Sequence, residues 1–182
     1  LLYAHLDKEA GDTSETLSTL LADLASLNVF VLVCMDESQP EWDYYNSIAA
    51  EYPNNFCVRR LGKTTDLLQK HLAGADILFA GNLKEPSSSI LLKALAAGTI
   101  PITGKDTGVA RMLSSYSEES TNTANAFLVD DPRSPVMVLR SLKKCHEVYN
   151  SALWKQVVEN AYSFRYEWDR TIAQYLLTLG EF

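Results

Sequence analysis

The sequence predicts an α/β fold, in which a doubly wound parallel sheet carries helices on both faces. Helical and extended patterns alternate along the 182 residues, which is typical of parallel strands connected by helices. The runs at 29–35 (VFVLVCM) and 76–80 (DILFA) are apolar nearly throughout, as expected of strands buried on both faces. Residues 1–182 are expected to form a single domain, with a helical tail over 132–182.

Each element has a local signal. The predicted strands are short apolar or β-branched runs at residues 1–6, 29–35, 56–60, 76–80, 99–103 and 126–129. The predicted helices have apolar residues three or four positions apart and cover residues 14–27, 40–52, 64–73, 87–97, 108–113, 134–149, 151–163 and 168–179. Pro40 suits a first helical turn, and Gly98 is placed to end the helix at 87–97. Residues 114–125 (SSYSEESTNTAN) have the composition of an exposed connector.

Charge and cysteine content exclude several classes of function. The net charge is −7, and a nucleic-acid-binding protein would need a basic face instead. Cys34, Cys57 and Cys145 have no metal-ligand or disulfide spacing, which indicates reduced thiols in an intracellular compartment. No apolar run approaches the roughly 20 residues that a membrane span needs. The chain starts at Leu1 without an initiator methionine, so we expect it to be a piece of a longer protein.

The strongest candidate site follows the predicted strand at 76–80. Ligands of doubly wound sheets bind beyond the carboxyl ends of the strands, and the segment 80–88 (AGNLKEPSS) leaves a strand there and enters a helix. Its amide groups and the helix dipole could hold an anion beside Glu85, Ser87 and Ser88. An ordinary helix N-terminus, capped by a serine, explains the same residues.

A second candidate is the turn GKDTG at 104–108, which lies between a predicted strand and a predicted helix. Lys105, Thr107 and Gly108 could cradle a phosphate. The turn is too short for a known phosphate-binding fingerprint, and a turn capped by Asp106 fits equally well.

Other charged residues near strand ends are less specific. Lys63, Lys8 and His5 could meet an anion or be solvated. His71 and His146 lie within helical patterns without an acid or cysteine at ligand spacing, so we expect partly buried or surface histidines. The sequence predicts neither a metal site nor a Ser-His-Asp arrangement, and no cofactor is expected.

The ordered series of motifs resembles the C-terminal domain of bacterial glycogen and plant starch synthases. AGADILFAGNLKEPSSSILLKALAAGTIPI is similar to that family's Ala-Gly-Ala-Asp, strand, Glu-Pro-Cys-Gly, helix and Tyr-Gly-Thr-x-Pro series. DTGVARML lies where the family has Thr-Gly-Gly-Leu-Ala-Asp-Thr-Val, NAFLVDDP is similar to Gly-Phe-x-Phe-x-Asp, and residues 153–179 are similar to its closing helices. The resemblance implies the Rossmann-like C-terminal half of a GT-B fold and a retaining glucosyltransferase that uses ADP-glucose.

The resemblance also implies roles for individual residues. Glu85 would lie beside the transferred glucose, where a retaining transfer places an acid near the ring. Ser87 and Ser88 would form the donor loop, and Thr107 with Gly108 would form the phosphate turn. An N-terminal GT-B half would supply most of the acceptor site for an α-glucan.

Several positions depart from the family pattern. The arginine and lysine that neutralise the leaving diphosphate fall at His5 and Ala10, and the aromatic residue that stacks on adenine falls at Lys63. Ser87-Ser88 replaces Cys-Gly, and Asp106 occupies the first position of Thr-Gly-Gly. Since the loss of one oxyanion donor costs about 2.7–4 kcal/mol elsewhere, we expect weakened or lost catalysis.

The expected function is therefore a nucleotide-sugar-binding domain with a binding, scaffolding or regulatory role in α-glucan synthesis, in the plastid or cytoplasm. Its expected partners are an ADP-glucose-type nucleotide sugar, an α-glucan or glucan-synthesis proteins, and the N-terminal half. One alternative is a divergent active hexosyltransferase in which Lys63, Lys8 or Lys105 supplies the missing charge. The other is a protein-interaction domain that binds no nucleotide.

Overall fold

Parallel strands form the centre of the domain. The computed structural model describes residues 1–6, 11–60, 65–80, 89–106, 108–164, 172, 175–177 and 179–180, with only the backbone described at residues 5, 11–13 and 65. The strands are β1 (Leu2–Leu6), β2 (Val31–Met35), β3 (Phe56–Arg60), β4 (Ile77–Ala80), β5 (Ile100–Gly104) and β6 (Phe127–Val129). Within the described residues they form one parallel sheet in the order β3-β2-β1-β4-β5-β6. The predicted fold class and all six predicted strands are confirmed.

The helices occupy the connections between the strands. They are α1 (Gly11–Thr19), α2 (Leu21–Ser26), α3 (Trp42–Glu51), α4 (Thr65–Gly74), α5 (Ser89–Ala97), α6 (Pro135–Tyr149) and α7 (Leu153–Ser163). The predicted helix at 168–179 lies largely outside the described residues, although those described between 172 and 179 are helical. No helix in the described part of the chain is long and apolar enough to cross a membrane.

Two helix predictions were wrong in detail. The helix predicted at 14–27 is interrupted at Leu20, whose amide bonds to the carbonyl of Leu17, three residues back, at 3.0 Å. The helix predicted at 108–113 is only a 3₁₀ turn, Ala110–Met112. It ends because Leu113 takes an extended conformation, with its side chain 8% exposed. Burial of this short apolar segment outweighs its helical pattern.

The core lies on the sheet and is continuous through the described elements. Tyr3, Leu78 and Ile102 on three neighbouring strands are each fully buried, as are Leu91 and Val157 on α5 and α7. A buried side chain of this size contributes about 1.5–3 kcal/mol relative to an exposed one. The strands are therefore held firmly, and their carboxyl ends have fixed relative positions.

The predicted connector at 114–125 is a loop that is exposed over much of its length but is fixed to the domain at its end. Ala124 and Asn125 are buried, and Ser115 forms a parallel bridge with Ala126. The Asn160 amide on α7 donates to the carbonyls of Thr121 and Ala124 at 3.0 and 2.9 Å. Sequence composition indicated a loop correctly, but these side-chain bonds also fix it to the domain.

Candidate functional site

The strand order reverses its direction across the sheet between β1 and β4. These two strands are neighbours, with Ala4 paired to Phe79, and the chain continues from them in opposite directions across the sheet. This is the topological switch point at which doubly wound sheets bind their ligands. The segments that follow these strands are residues 7–10 and 81–88, and the second contains the Glu-Pro-Ser-Ser motif.

Most of the predicted site residues lie outside the described residues. This applies to Glu85, Ser87, Ser88, Lys63 and Thr107. For His5 the backbone is described, and it pairs with Cys34 of β2 in the sheet. The predicted roles of these six residues stay predictions. Lys105 and Gly108 are described, and both are exposed in the turn after β5.

Lys105 contacts residues at the end of the neighbouring strand, β6. Its backbone amide donates to the carbonyl of Val129 at 3.1 Å, and its Nζ lies 2.9 Å from Oδ1 of Asp130. The Asp130 carboxylate, through a hydrogen bond and its charge, raises the pKa of Lys105. The cation predicted to meet a phosphate is therefore held by a carboxylate at the end of β6.

Two other cations described at the carboxyl edge are paired in the same way. Arg60, at the end of β3, forms an ion pair with Glu37 in the turn after β2. Arg133 lies 4.0 Å from Asp131, whose Oδ1 also accepts the Arg133 amide at 3.0 Å. All three pairs are well exposed, so each contributes about 0–1 kcal/mol. They still offset the positive charge that an incoming anion would meet.

The described charges that follow β5 and β6 balance. Lys105, Arg111 and Arg133 are positive, and Asp106, Asp130 and Asp131 are negative. Because Lys105 and Arg133 are paired with Asp130 and Asp131, this part of the edge offers an incoming diphosphate no excess of positive charge.

A buried hydrogen bond aligns the two strands that lead into the candidate loops. The Thr103 hydroxyl on β5 donates to the carbonyl of Ala80, the last residue of β4, at 2.7 Å. Both residues are buried, so the bond keeps the exits of β4 and β5 in register. Sequence analysis missed this positioning residue, because a threonine within an apolar strand looks like an ordinary β-branched residue.

The described histidine and cysteine side chains do not form a catalytic cluster. His71 Nδ1 lies 3.5 Å from Sγ of buried Cys34, and its ring is 5.5 Å from that of Tyr3. Burial raises the pKa of Cys34 to about 12, and burial lowers the pKa of His71. The thiol is therefore protonated and unreactive at neutral pH. Among the described residues, no group of three or more metal-ligating side chains could hold a metal ion.

Comparison with known proteins shows a similarity to glycogen synthases. No protein-family model matches the chain. Glycogen synthase from Bacillus anthracis is 25% identical over 174 residues, which is 96% of this chain and 36% of the synthase. Over nearly its whole length, the chain is therefore similar to part of the glycogen synthases. It spans about a third of the length of the curated relatives it matches.

Solved structures of glycosyltransferases share the fold. The catalytic domain of starch synthase IV from Arabidopsis thaliana, bound to ADP and acarbose, superposes with a TM-score of 0.76 at 17% identity, over 96% of this chain and 36% of that chain. The C-terminal domain of the glycosyltransferase LpcC from Francisella tularensis gives a TM-score of 0.65 at 13% identity, over 88% of this chain and 82% of that domain. The predicted Rossmann-like GT-B fold class is confirmed, and the glycogen synthase relatives support the predicted resemblance.

Proposed function

We propose that this domain is the nucleotide-sugar-binding half of a glycogen or starch synthase-type glycosyltransferase, with weakened or lost catalysis and a binding or regulatory role in α-glucan synthesis. The observation that carries the proposal is the switch point between β1 and β4, because the Glu85 segment follows one of these strands directly. A relative of the same fold was solved with ADP and acarbose. Both support a donor site at this edge.

Charge supports the proposal that catalysis is weakened. Departure of a nucleoside diphosphate requires cations positioned before the reaction, whereas the resemblance places a histidine and an alanine, His5 and Ala10, at the two cationic positions. Lys105 is engaged by Asp130. Two missing donors at about 2.7–4 kcal/mol each would slow transfer by several orders of magnitude.

Calorimetry with the 182-residue chain tests the donor site. We expect ADP and ADP-glucose to bind with a dissociation constant of about 1 mM or weaker, near −4 kcal/mol. The double variant His5→Arg with Ala10→Lys should bind ADP at least about tenfold more tightly, since two charge-assisted contacts are restored. A matched control adds the same charge on the exposed face of α3 through Asn46→Arg with Ser47→Lys. An equal gain in the control would mean that net charge alone is responsible.

An assay of the natural full-length protein tests the loss of catalysis. Glycogen and ADP-glucose are supplied, and glucose incorporation is compared with that of the Glu85→Ala variant. We expect incorporation at or near background in both. Micromolar binding of ADP-glucose together with turnover that depends on Glu85 would refute the proposal.

The second candidate function is a divergent hexosyltransferase that remains active. It is favoured by the position of Lys105, which has only to leave an exposed ion pair in order to reach a ligand at the end of β5. If this is the function, the full-length protein will transfer a hexose from a nucleotide sugar, and Lys105→Ala will lower the transfer rate markedly. Transfer that survives alanine at both Glu85 and Lys105 would exclude the mechanism.

A further inference from the structure

A groove lies between β6 and α6 in the described part of the chain. It has a volume of about 270 Å³ and runs along the outer edge of the sheet. Its floor is the pair Tyr116 and Phe127, whose rings stack at 5.4 Å with an interplanar angle of 24°. The volume suits a ligand smaller than the drug-sized molecules that fill pockets of about 300–1,000 Å³.

Positive charge and free hydroxyl groups line the groove. Arg140 is exposed and forms no ion pair with any described residue. Lys144 Nζ lies 5.9 Å from the centre of the Tyr116 ring. The hydroxyl groups of Tyr116 and Ser141 also lack a hydrogen-bond partner within the described ranges. The groove thus presents several unused donors above an aromatic floor.

The acidic residues around the groove are paired with lysines. Lys144 is shared between Glu118 and Glu147, with Nζ–O distances of 3.8 and 3.6 Å. Asp130, which also lines the groove, forms an ion pair with Lys105. Neither arrangement involves the guanidinium of Arg140, whose positive charge is therefore available to a ligand.

On the opposite side of the groove, a serine hydroxyl already accepts a hydrogen bond from a backbone amide. The Ser115 hydroxyl accepts the amide of Leu128 at 3.1 Å, which leaves its own hydrogen free to donate into the groove. Because Ser115 caps the outward amide of Leu128, the edge of β6 is partly closed to an additional strand. The remaining groups suit a small molecule with a ring and several acceptor oxygens.

We propose that the β6–α6 groove binds a small phosphomonoester, with its phosphate at Arg140 and Ser141 and its ring against Tyr116. A phosphate has three terminal oxygens that accept charge-assisted hydrogen bonds, and the groove supplies a guanidinium, an ammonium and three hydroxyl groups. The site is separate from the donor site at β1 and β4, and it does not depend on the proposed function.

Phenyl phosphate is the probe. Inorganic phosphate and phenol, which carry its phosphate group and its ring separately, are the controls. We expect phenyl phosphate to bind the 182-residue chain with a submillimolar dissociation constant, and each half to bind at least tenfold more weakly. Amide chemical shifts should change at Tyr116, Leu128 and Ser141. Inorganic phosphate binding as tightly as phenyl phosphate would overturn the assigned ligand class, and shifts confined to other residues would overturn the site.

A pair of variants on the same helix tests the charge. Arg140→Gln should weaken phenyl phosphate binding about tenfold, or about 1.4 kcal/mol. Lys143→Gln removes the same charge from an exposed position on α6 outside the groove and should change the affinity less than twofold. Equal weakening in both variants, or displacement of phenyl phosphate by ADP, would refute a separate site. Both substituted side chains are exposed, so folding is retained and circular dichroism verifies it.

Discussion

Replacement of Gly98 by alanine is expected to destabilise the domain by about 2–3 kcal/mol. Gly98 has a φ of 77°, in the left-handed region. It closes α5, since its amide bonds to the Leu95 carbonyl at 3.0 Å and the Thr99 amide bonds to that of Ala94 at 2.9 Å. These are the two bonds of a Schellman motif, in which a non-glycine residue costs about 1–2 kcal/mol.

A steric cost is added to this conformational cost. A Cβ at Gly98 would lie 2.5 Å from both Cζ and the hydroxyl oxygen of Tyr162. That ring is 48% exposed, so it can swing outward. It would then lose the hydrogen bond that its hydroxyl donates to the Ala97 carbonyl at 3.1 Å, which contributes about 0.5–1.5 kcal/mol.

A double-mutant cycle measured by urea unfolding separates the two costs. In a Tyr162→Ala background the clash is gone, and Gly98→Ala should cost only the 1–2 kcal/mol of the backbone term. Gly74→Ala is the control, because no atom lies within 4 Å of the Cβ it would add, and it should change stability by less than about 0.5 kcal/mol. A cost below about 0.5 kcal/mol for Gly98→Ala would refute the backbone argument, and equal costs in both backgrounds would refute the steric argument.

Four further outcomes are expected. Thr99→Val should lower the free energy of unfolding by about 1–3 kcal/mol, measured by urea titration against Thr99→Ser, because the buried Thr99 hydroxyl donates to two backbone carbonyls. Asp130→Asn should tighten ADP binding two- to fivefold by calorimetry, since it frees Lys105 from a surface pair of about 0–1 kcal/mol; an unchanged affinity would exclude Lys105 from the site. A thiol reagent at pH 8 should label half-exposed Cys57 before buried Cys34. Because burial raises the pKa of Cys34 to about 12, its contribution to stability is complete below about pH 8.5 and is lost as the pH rises towards 12, which unfolding at pH 8 and pH 11 would measure.

The strands could be predicted because their signal is local. The runs at 29–35 and 76–80 are long enough and apolar enough to fit a sheet buried on both faces. Apolar periodicity did not detect the break at Leu20, because the leucines on both sides continue the same pattern. It predicted too long a helix at 108–113, where burial of Leu113 in an extended conformation ends the turn early. Both errors arise where tertiary packing overrides local propensity.

The position of Lys105 in the fold could be predicted better than its electrostatic partner. The order of strands and helices placed Lys105 at a strand exit, and the structure confirms that position. The ion pair with Asp130 joins residues 25 positions apart in the sequence, and it depends on the register between β5 and β6, where Gly104 pairs with Val129. That register follows from packing of the whole sheet, so no local pattern contains it.

The fold and the site are also physically independent in this domain. The largest buried side chains, including Tyr3, Phe79 and Leu91, lie within strands and helices, whereas the described charged residues at the carboxyl edge are exposed and weakly paired. Substitution of an edge residue therefore changes what the edge can bind while leaving the free energy of unfolding nearly unchanged. Because the fold can persist through such changes, similarity to the synthases indicates shared ancestry and a shared fold. The chemistry depends on the few loop residues beyond β1, β4 and β5.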